Sequence, residues 1–320
     1  MSAGFFKIYF VYRNKWGENM QDERKAGILS TAGSYIMWGL IPIYWKLISE
    51  VSAYEILANR VIWSFVFMIV LLVFMRKLTP LGKVLKEITV QPKKALALAA
   101  ASVLVSINWF VFIWAVNNDH IIETSMGYYI NPLMSVLLGV LVLKEALSKA
   151  QVFSFVLAAC GVLIMTFSYG SFPWVSISLA VSFAFYGLAK KMIRMDAAVG
   201  LTIETAVVTP LAIIYLLFLS SNGALQLFSG SVQTDLLLMG GGVLTAVPLL
   251  LFGHGAQKIP LYLIGFLQYI APTMTLLLGV FLYHEPFTSS QLLSFAFIWS
   301  ALIVFTFAQL KGIQKKKAVV

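Results

Sequence analysis

Several side chains that can bind a solute or carry a proton lie inside long apolar stretches of this sequence. Charged and amide groups are costly in a hydrocarbon environment, so each is a functional candidate. At a helical rise of about 1.5 Å per residue, Arg60 and Asn108 fall at a similar level in the outer half of a membrane, and Glu204 falls about 10 Å from its inner face. Asn131 and Gln268 fall near the middle. A transport site near the midplane is expected to draw side chains from several helices in this way.

Arg60 is the strongest single candidate for a ligand-binding group. A guanidinium keeps its proton, so within an apolar run it needs water, an acidic partner or an anionic ligand. The competing interpretations are an ion pair with Glu55 and a side chain that extends to the outer surface. Glu204 is a candidate coupling residue because a carboxyl group can carry a proton. Its competing interpretation is a carboxylate that caps a helix or locks two helices together.

Aromatic side chains near these positions are candidates for the wall of a cavity that accepts a flat or amphipathic solute. The chain has 24 Phe, 13 Tyr and 8 Trp residues, so most of them must face lipid or the protein core. For any one aromatic residue, packing is therefore the more frequent role. The predicted solute site comprises Trp38, Arg60, Asn108, Trp109, Tyr129, Asn131, Gln268 and Tyr269.

Motifs for catalysis, nucleotide binding or metal binding are absent from the sequence. The chain contains no phosphate-binding G-x-x-x-x-G-K-[ST] loop, so transport driven by its own ATP hydrolysis is not expected. His120, His254 and His284 have no metal-ligand spacing, and Cys160 is the single cysteine. We therefore predict no enzymatic activity, no metal site and no cofactor.

The composition indicates an integral membrane protein. Hydrophobic residues make up 60% of the chain and charged residues 11%, whereas a soluble domain has about 25% charged residues. The apolar runs have the length of membrane-spanning helices, about 20 residues, and lack the alternation of β-barrel strands. They cover approximately Gly27–Leu47, Glu55–Phe74, Ala95–Ala115, Thr124–Leu143, Val152–Phe167, Trp174–Leu188, Ala197–Leu219, Leu236–Phe252, Leu261–Tyr283 and Gln291–Leu310.

The basic residues predict the topology. Of the 23 Lys and Arg residues, 21 lie in alternate gaps between the apolar runs, and the other gaps hold only Lys46 and Arg60. Such alternation follows the positive-inside rule for a chain with an even number of spans and both termini in the cytoplasm. The net charge of +10 is therefore attributed to inside loops near anionic lipid rather than to nucleic-acid binding.

An internal repeat divides the chain into two halves. The segment Tyr129–Val140 matches Tyr269–Val280 at a constant offset of 140, including Tyr, Pro, Met and Gly, and the match continues to Glu145 and Glu285. Each half has five runs, an odd number, so the second copy must be inverted in the membrane, as in many transporters. Pro132 and Pro272 occupy matching positions, and because proline bends a helix we predict that they act in gating.

These features predict four segments and an all-α membrane protein. The segments are a cytoplasmic tail (1–25), a first five-helix repeat (26–170), a second, inverted repeat (171–310) and a basic cytoplasmic tail (311–320). We expect Met20 to be the translation start, because the codons for Trp16–Asn19 can read as a purine-rich ribosome-binding site if the source is bacterial.

The sequence resembles the EamA-type drug/metabolite transporters, in particular their RarD branch. The resemblance runs from Gly27 to Phe307 and implies an inner-membrane permease of ten helices in two five-helix halves. It is carried by Tyr35–Lys46 (YIMWGLIPIYWK), Glu55–Ser64 (EILANRVIWS), Ile107–Asn118 (INWFVFIWAVNN), Gly127–Pro132 (GYYINP) and Gly265–Pro272 (GFLQYIAP).

We therefore expect a secondary-active permease that moves a small metabolite or drug-like solute across the cytoplasmic membrane by alternating access. Of the two directions we expect export, and proton coupling is an option that the resemblance implies. The alternatives are a channel, which would usually show rings of charge or a carbonyl filter, and a regulatory membrane protein that transports nothing. Expected partners are the solute and membrane lipid, with no nucleic acid, and the oligomeric state stays open.

Overall fold

The computed structural model describes the backbone of residues 3–318 except 119, 171, 194, 230 and 285–287. Side chains are described for residues 22–309, apart from those positions and 113, 116, 117, 121, 122 and 169. In this part of the chain every regular element is helical. The helices are α1 (Ala3–Lys46), α2 (Ala53–Phe74), α3 (Leu78–Val90), α4 (Pro92–Asn117), α5 (Ile121–Leu141), α6 (Lys149–Tyr169), α7 (Trp174–Met192), α8 (Ala197–Ser221), α9 (Val232–Lys258), α10 (Leu261–Gln268), α11 (Ile270–Leu277), a π-helical turn (Leu278–Leu282) and α12 (Ser289–Ala318).

Eight segments of the described chain are long and apolar enough to cross a membrane. They lie in α1, α2, α4, α6, α8, α9, the stretch from α10 to the π-helical turn, and α12. Helices α5 and α7 are more polar, since α5 carries Glu123 and Asn131 and α7 ends with Lys190 and Lys191. These two helices pack against each other, and α5 also packs on α10 while α7 packs on α4. Protein neighbours on several sides allow polar side chains that a lipid-facing helix would not tolerate.

One end of the bundle, here called the basic end, is held by ion pairs. Lys77, which precedes α3, lies 2.6 Å from Asp196, and Lys191 lies 3.7 Å from Glu145. Burial opposes ionisation of the Asp196 carboxyl, but hydrogen bonds from Lys77 and from the first turn of α8 hold its pKa below the ordinary value. The Glu145 carboxylate also accepts N–H groups at the start of α10, including that of Leu261 at 2.8 Å, where orphan donors and the helix dipole favour an anion.

The opposite end uses carboxylates in the same manner. Glu55 accepts the backbone N–H groups of Gln226 and Leu227, both at 2.9 Å. Glu123 accepts the N–H of Val175, at the start of α7, at 3.1 Å. Glu285, the predicted repeat mate of Glu145, lies outside the described residues. Lys77 and Lys191, which come from two of the basic gaps seen in the sequence, therefore lie at the same end of the bundle.

Close helix crossings depend on small residues. Helix α9 crosses α2 where Gly242 meets the backbone of Trp63, and a Cβ on Gly242 would overlap Trp63 and crowd the N–H of Ser64. The Ser64 hydroxyl donates to the Gly242 carbonyl oxygen at 2.9 Å. Approach of this kind through glycine is the usual way that helices associate in lipid.

Replacement of Gly242 by alanine is expected to lower the free energy of unfolding by about 1–3 kcal/mol, because the added methyl group forces α2 and α9 apart. SDS titration of purified protein in mixed micelles measures this change. Gly82→Ala is the matched control, since Gly82 on α3 has open space around it. Equal stability of the two variants would contradict the importance of the crossing.

Candidate functional site

Arg60 lies where α1, α2, α4 and α9 converge. Its Nε donates a hydrogen bond to Thr245 Oγ1 at 2.9 Å. Its guanidinium carbon is 5.0 Å from the centroid of the Trp45 ring and 5.9 Å from that of Trp109, distances at which a cation is attracted to an aromatic face. The side chain is half-buried. Trp45 and Thr245 were not among the predicted site residues, because nothing in their local sequence shows that they meet an arginine.

The ion pair with Glu55, considered as an alternative from the sequence, is not formed. Both backbone N–H groups that Glu55 holds belong to the segment after α8. Among the residues with described side chains, no carboxylate lies within ion-pair distance of Arg60. The guanidinium charge is therefore left to the aromatic rings, the Thr245 hydroxyl and whatever enters the space beside it.

Glu204 is paired with a lysine inside the bundle. Its Oε1 accepts Lys190 Nζ at 2.8 Å, and its Oε2 accepts the Tyr186 hydroxyl at 2.9 Å. The side chains of Lys190 and Glu204 are only 5% and 2% exposed. The pair ties α7 to α8, which agrees with the helix-locking interpretation and does not test the coupling role. Sequence reasoning counted Lys190 as an inside-loop charge, because a Lys-Lys pair at the end of an apolar run usually is one.

A small cavity lies beside Glu204. Its walls include Val105, Trp109, Glu204, Val208 and Leu249. Trp109 therefore lies beside both Glu204 and Arg60, because its ring also faces Arg60. Apart from Glu204 and Thr205, the side chains that line this cavity are apolar or aromatic.

Trp38 belongs to an aromatic cluster in the half of the bundle nearest the basic end. Its ring lies 5.4 Å from Tyr35, 5.7 Å from Phe183 and 6.0 Å from Phe252, measured between ring centroids. Phe252 also stacks on Tyr186, the partner of Glu204, at 6.0 Å. Tyr35, Tyr186 and Phe252 are buried. The cluster closes the bundle on this side, so Trp38 packs among aromatic rings in this structure.

Asn108 is used in helix packing. Its Nδ2 donates to the Leu179 carbonyl oxygen at 2.9 Å and to Ser182 Oγ at 3.0 Å, and both acceptors lie on α7. The amide thus joins α4 to α7 and points away from Arg60, although depth along the helices placed the two residues at one level. Depth alone does not fix the direction of a side chain around a helix axis.

The other predicted site residues lie along the crossing of α5 with α10 and α11. Tyr129, Asn131, Gln268 and Tyr269 are all buried there. The Tyr129 hydroxyl donates to the Pro272 carbonyl oxygen at 3.0 Å. The Tyr269 hydroxyl, Asn131 Oδ1 and Gln268 Oε1 have no hydrogen-bond partner among the described residues. Unsatisfied buried polar groups are costly, so this interface holds hydrogen-bonding capacity that the present arrangement does not use.

Pro132 and Pro272 occupy different backbone environments despite their matching sequence. Helix α5 runs through Pro132 without interruption, whereas the matching segment breaks at Tyr269, between α10 and α11, and contains a π-helical turn further on. Pro132 also contacts this segment, because its carbonyl oxygen lies 2.7 Å from the position that a Cβ on Gly265 would take. The two prolines thus lie at one helix crossing, each within an α-helix, and the helices differ in continuity around them.

An all-helical bundle with spans of this length is an integral membrane protein. Residues 25–167 match the EamA-like transporter family. The chain is 51% identical over 296 residues to a protein of Bacillus subtilis named "Uncharacterized transporter YojE", covering 92% of this chain and 98% of the relative. It is 42% identical to the protein RarD of Salmonella typhi, covering 92% and 99%. It is also 42% identical to RarD of Escherichia coli, covering 88% and 94%.

The chain therefore belongs to the EamA-like transporter family, in its RarD branch, and is a multi-pass protein of the bacterial cytoplasmic membrane. A solved crystal structure has the same fold, with a TM-score of 0.65 and 18% identity, covering 89% of this chain and 97% of that one.

Replacement of Glu204 by methionine is expected to lower the free energy of unfolding by about 3 kcal/mol or more, because it leaves Lys190 charged and unpaired in the bundle. Adding Lys190→Met should recover most of this loss, since an apolar pair of similar size avoids the desolvation of two charges. A double-mutant cycle by SDS titration measures the coupling.

Lys25→Met is the control for that cycle, because Lys25 pairs with Asp22 on an exposed surface, where a pair contributes about 0–1 kcal/mol. Additive effects of the two buried substitutions would show that Lys190 and Glu204 do not stabilise each other.

Proposed function

We propose that this chain is a secondary permease that moves a small solute across the cytoplasmic membrane by alternating access, in the direction of export. In this proposal ten helices cross the membrane as two inverted repeats, residues 26–170 and 171–310. Residues 1–25 and 311–320 are cytoplasmic, so the basic end faces the cytoplasm. The chain acts without a cofactor and without enzymatic turnover. The observation that carries the proposal is the unequal conformation of two equivalent segments, α5 and α10–α11.

The pairing of helices supports the inverted repeat. If α1, α2, α4, α5 and α6 correspond to α7, α8, α9, α10–α11 and α12, a twofold axis should map the most extensive helix packings onto one another. The pairs α6–α12, α2–α8 and α5–α10 map onto themselves, and all three are in contact. The pair α1–α9 maps onto α4–α7, and both pairs pack. The pair α5–α7 maps onto the contact of α1 with α10 and α11, and these helices also pack.

The difference between the equivalent segments supports exchange between two states. Tyr129 of α5 donates to the Pro272 carbonyl oxygen, whereas its mate Tyr269 has a buried hydroxyl without a described partner. By symmetry the missing bond is Tyr269 to the Pro132 carbonyl oxygen. A chain whose two halves can exchange conformations has two states of similar energy that face opposite sides, as alternating access requires.

The aromatic cluster around Trp38 supports a state that is closed at the basic end, because Tyr186 and Phe252 are 0% and 1% exposed. In this proposal Arg60 and Trp109 contact the solute, and Trp38 acts in the closing cluster. Glu204 couples transport to a proton, because its protonation removes the charge that holds Lys190.

The test is flux through purified protein in liposomes. The solute is first found by comparing metabolites inside and outside cells with and without the gene. A carrier should give flux that saturates with solute concentration, and an imposed pH gradient should drive accumulation that Glu204→Gln abolishes. Linear, very fast flux would favour a channel, and absence of any flux would favour a regulatory protein.

Tyr129→Phe and Tyr269→Phe are expected to shift the conformational equilibrium in opposite directions. The first removes a hydrogen bond of the present state, and the second removes a hydrogen bond of the exchanged state. Each should change the equilibrium constant between the two states about fivefold, as expected for a hydrogen bond of about 1 kcal/mol. The measurement is the labelling rate of Phe112→Cys, in a Cys160→Ala background, by an impermeant maleimide added outside intact cells. Tyr129→Phe should slow labelling and Tyr269→Phe should accelerate it. Shifts of the same sign would contradict the exchange.

Substitution of both Pro132 and Pro272 by alanine should slow transport more than it lowers expression, because straightened helices cannot bend at the crossing. Transport is compared per molecule in liposomes after quantification of the inserted protein. Pro210→Ala is the control, since Pro210 lies in α8 and outside this crossing. An unchanged rate for the double variant would remove the two prolines from gating.

A further inference from the structure

Arg60 carries a positive charge inside the bundle that no described carboxylate neutralises. Lys190, the other cation buried among the helices, differs because Glu204 lies 2.8 Å away. An uncompensated charge in such a place is costly. In a transport protein, the simplest function of such a charge is to bind a solute of opposite charge.

The Arg60 guanidinium is held in a fixed orientation. Thr245 Oγ1 donates to the Gly241 carbonyl oxygen at 2.8 Å and accepts from Arg60 Nε at 2.9 Å. This hydroxyl is buried, so it holds the Nε edge of the guanidinium on α9. The two terminal nitrogens carry the remaining four N–H groups. These nitrogens donate no hydrogen bond to a described residue, and they are not fully buried.

Two parallel N–H groups of a guanidinium match the two oxygens of a carboxylate. The oriented donors of Arg60 therefore favour a planar, singly charged anion. Inorganic phosphate fits less well, because a doubly charged ion would need a second cation, and Lys190 already has its partner. An organic cation fits poorly as well, because the carboxylate beside the cavity, Glu204, is occupied by that same lysine.

The surroundings of the free donors define the rest of the ligand. The rings of Trp45 and Trp109 flank the guanidinium, with centroids 5.0 and 5.9 Å from its central carbon. Aromatic rings offer contact to an apolar or aromatic body. A carboxylate at Arg60 would therefore place its attached apolar group against these tryptophan rings.

We propose that the transported solute is an organic monocarboxylate, with its carboxylate on the terminal nitrogens of Arg60 and its apolar body against Trp45 and Trp109. The assignment rests on the site in the proposed function, but it concerns equilibrium binding and not movement. Binding of carboxylates without flux would support the ligand class and contradict the permease function. Flux without a preference for carboxylates would support the permease function and contradict the ligand class.

The experiment measures binding to the purified full-length protein in nanodiscs by quenching of tryptophan fluorescence and by thermal shift. The probes are benzoate, indole-3-acetate and octanoate, each compared with its uncharged amide, together with inorganic phosphate. At least one carboxylate should bind about tenfold or more tightly than its amide, as a charge-assisted hydrogen bond predicts. Phosphate should not compete with it.

Arg60→Gln should abolish the difference between carboxylate and amide, and Arg60→Lys should restore part of it, because a lysine keeps the charge but lacks the paired donors. Lys46→Gln is the matched control. Lys46 is also a cation at a ring, 3.2 Å from the Tyr283 centroid, and its loss should leave the preference unchanged. If Arg60→Gln does not fold, the wild-type protein decides alone. Equal affinity for every carboxylate and its amide overturns the proposal, as does an unchanged preference in folded Arg60→Gln.

Discussion

An uncompensated positive charge is costly among apolar helices, and Lys190 and Arg60 meet this cost in different ways. Lys190 is neutralised by Glu204, whose carboxylate also accepts the Tyr186 hydroxyl, so the pair joins α7 to α8. Arg60 has a hydroxyl and two aromatic rings but no described carboxylate. The first arrangement ties two helices together, and the second is the basis of the proposed carboxylate site. Trp109 lies beside both, since its ring faces Arg60 and also lines the small cavity at Glu204.

The crossing of α5 with α10 and α11 has unequal halves built from nearly equal sequences. One tyrosine hydroxyl is satisfied and its mate is not, and one helix is continuous where the other is broken. Equal local sequences have equal local preferences, so the difference must come from the packing around them. The proposed exchange between two conformations is based on this asymmetry.

Several predicted site residues lie apart because depth along a helix is only one of two coordinates. The apolar runs allowed depth to be estimated, and Arg60 and Asn108 were expected at one level. Asn108, however, donates to Leu179 and Ser182 of α7, while Arg60 turns toward α9. The direction around the axis depends on which neighbours a helix packs against, and in apolar helices no amphipathic pattern reveals it. The role of Lys190 was missed for a related reason: its contact with Glu204 depends on how α7 and α8 are rotated against each other.

The sequence by itself determined that the chain is a helical membrane protein of the EamA-like family. Hydrocarbon permits only structures that satisfy their own backbone, and long uncharged runs then fix which segments are helical. Eight of the ten predicted runs coincide with helices apolar enough to span a membrane, and the other two, α5 and α7, are helices sheltered by their neighbours. Only the tertiary structure decided which polar side chains meet. The contacts of Arg60 with Thr245, of Lys190 with Glu204 and of Tyr129 with Pro272 join different helices. Such contacts depend on helix rotation and packing, which no single segment encodes.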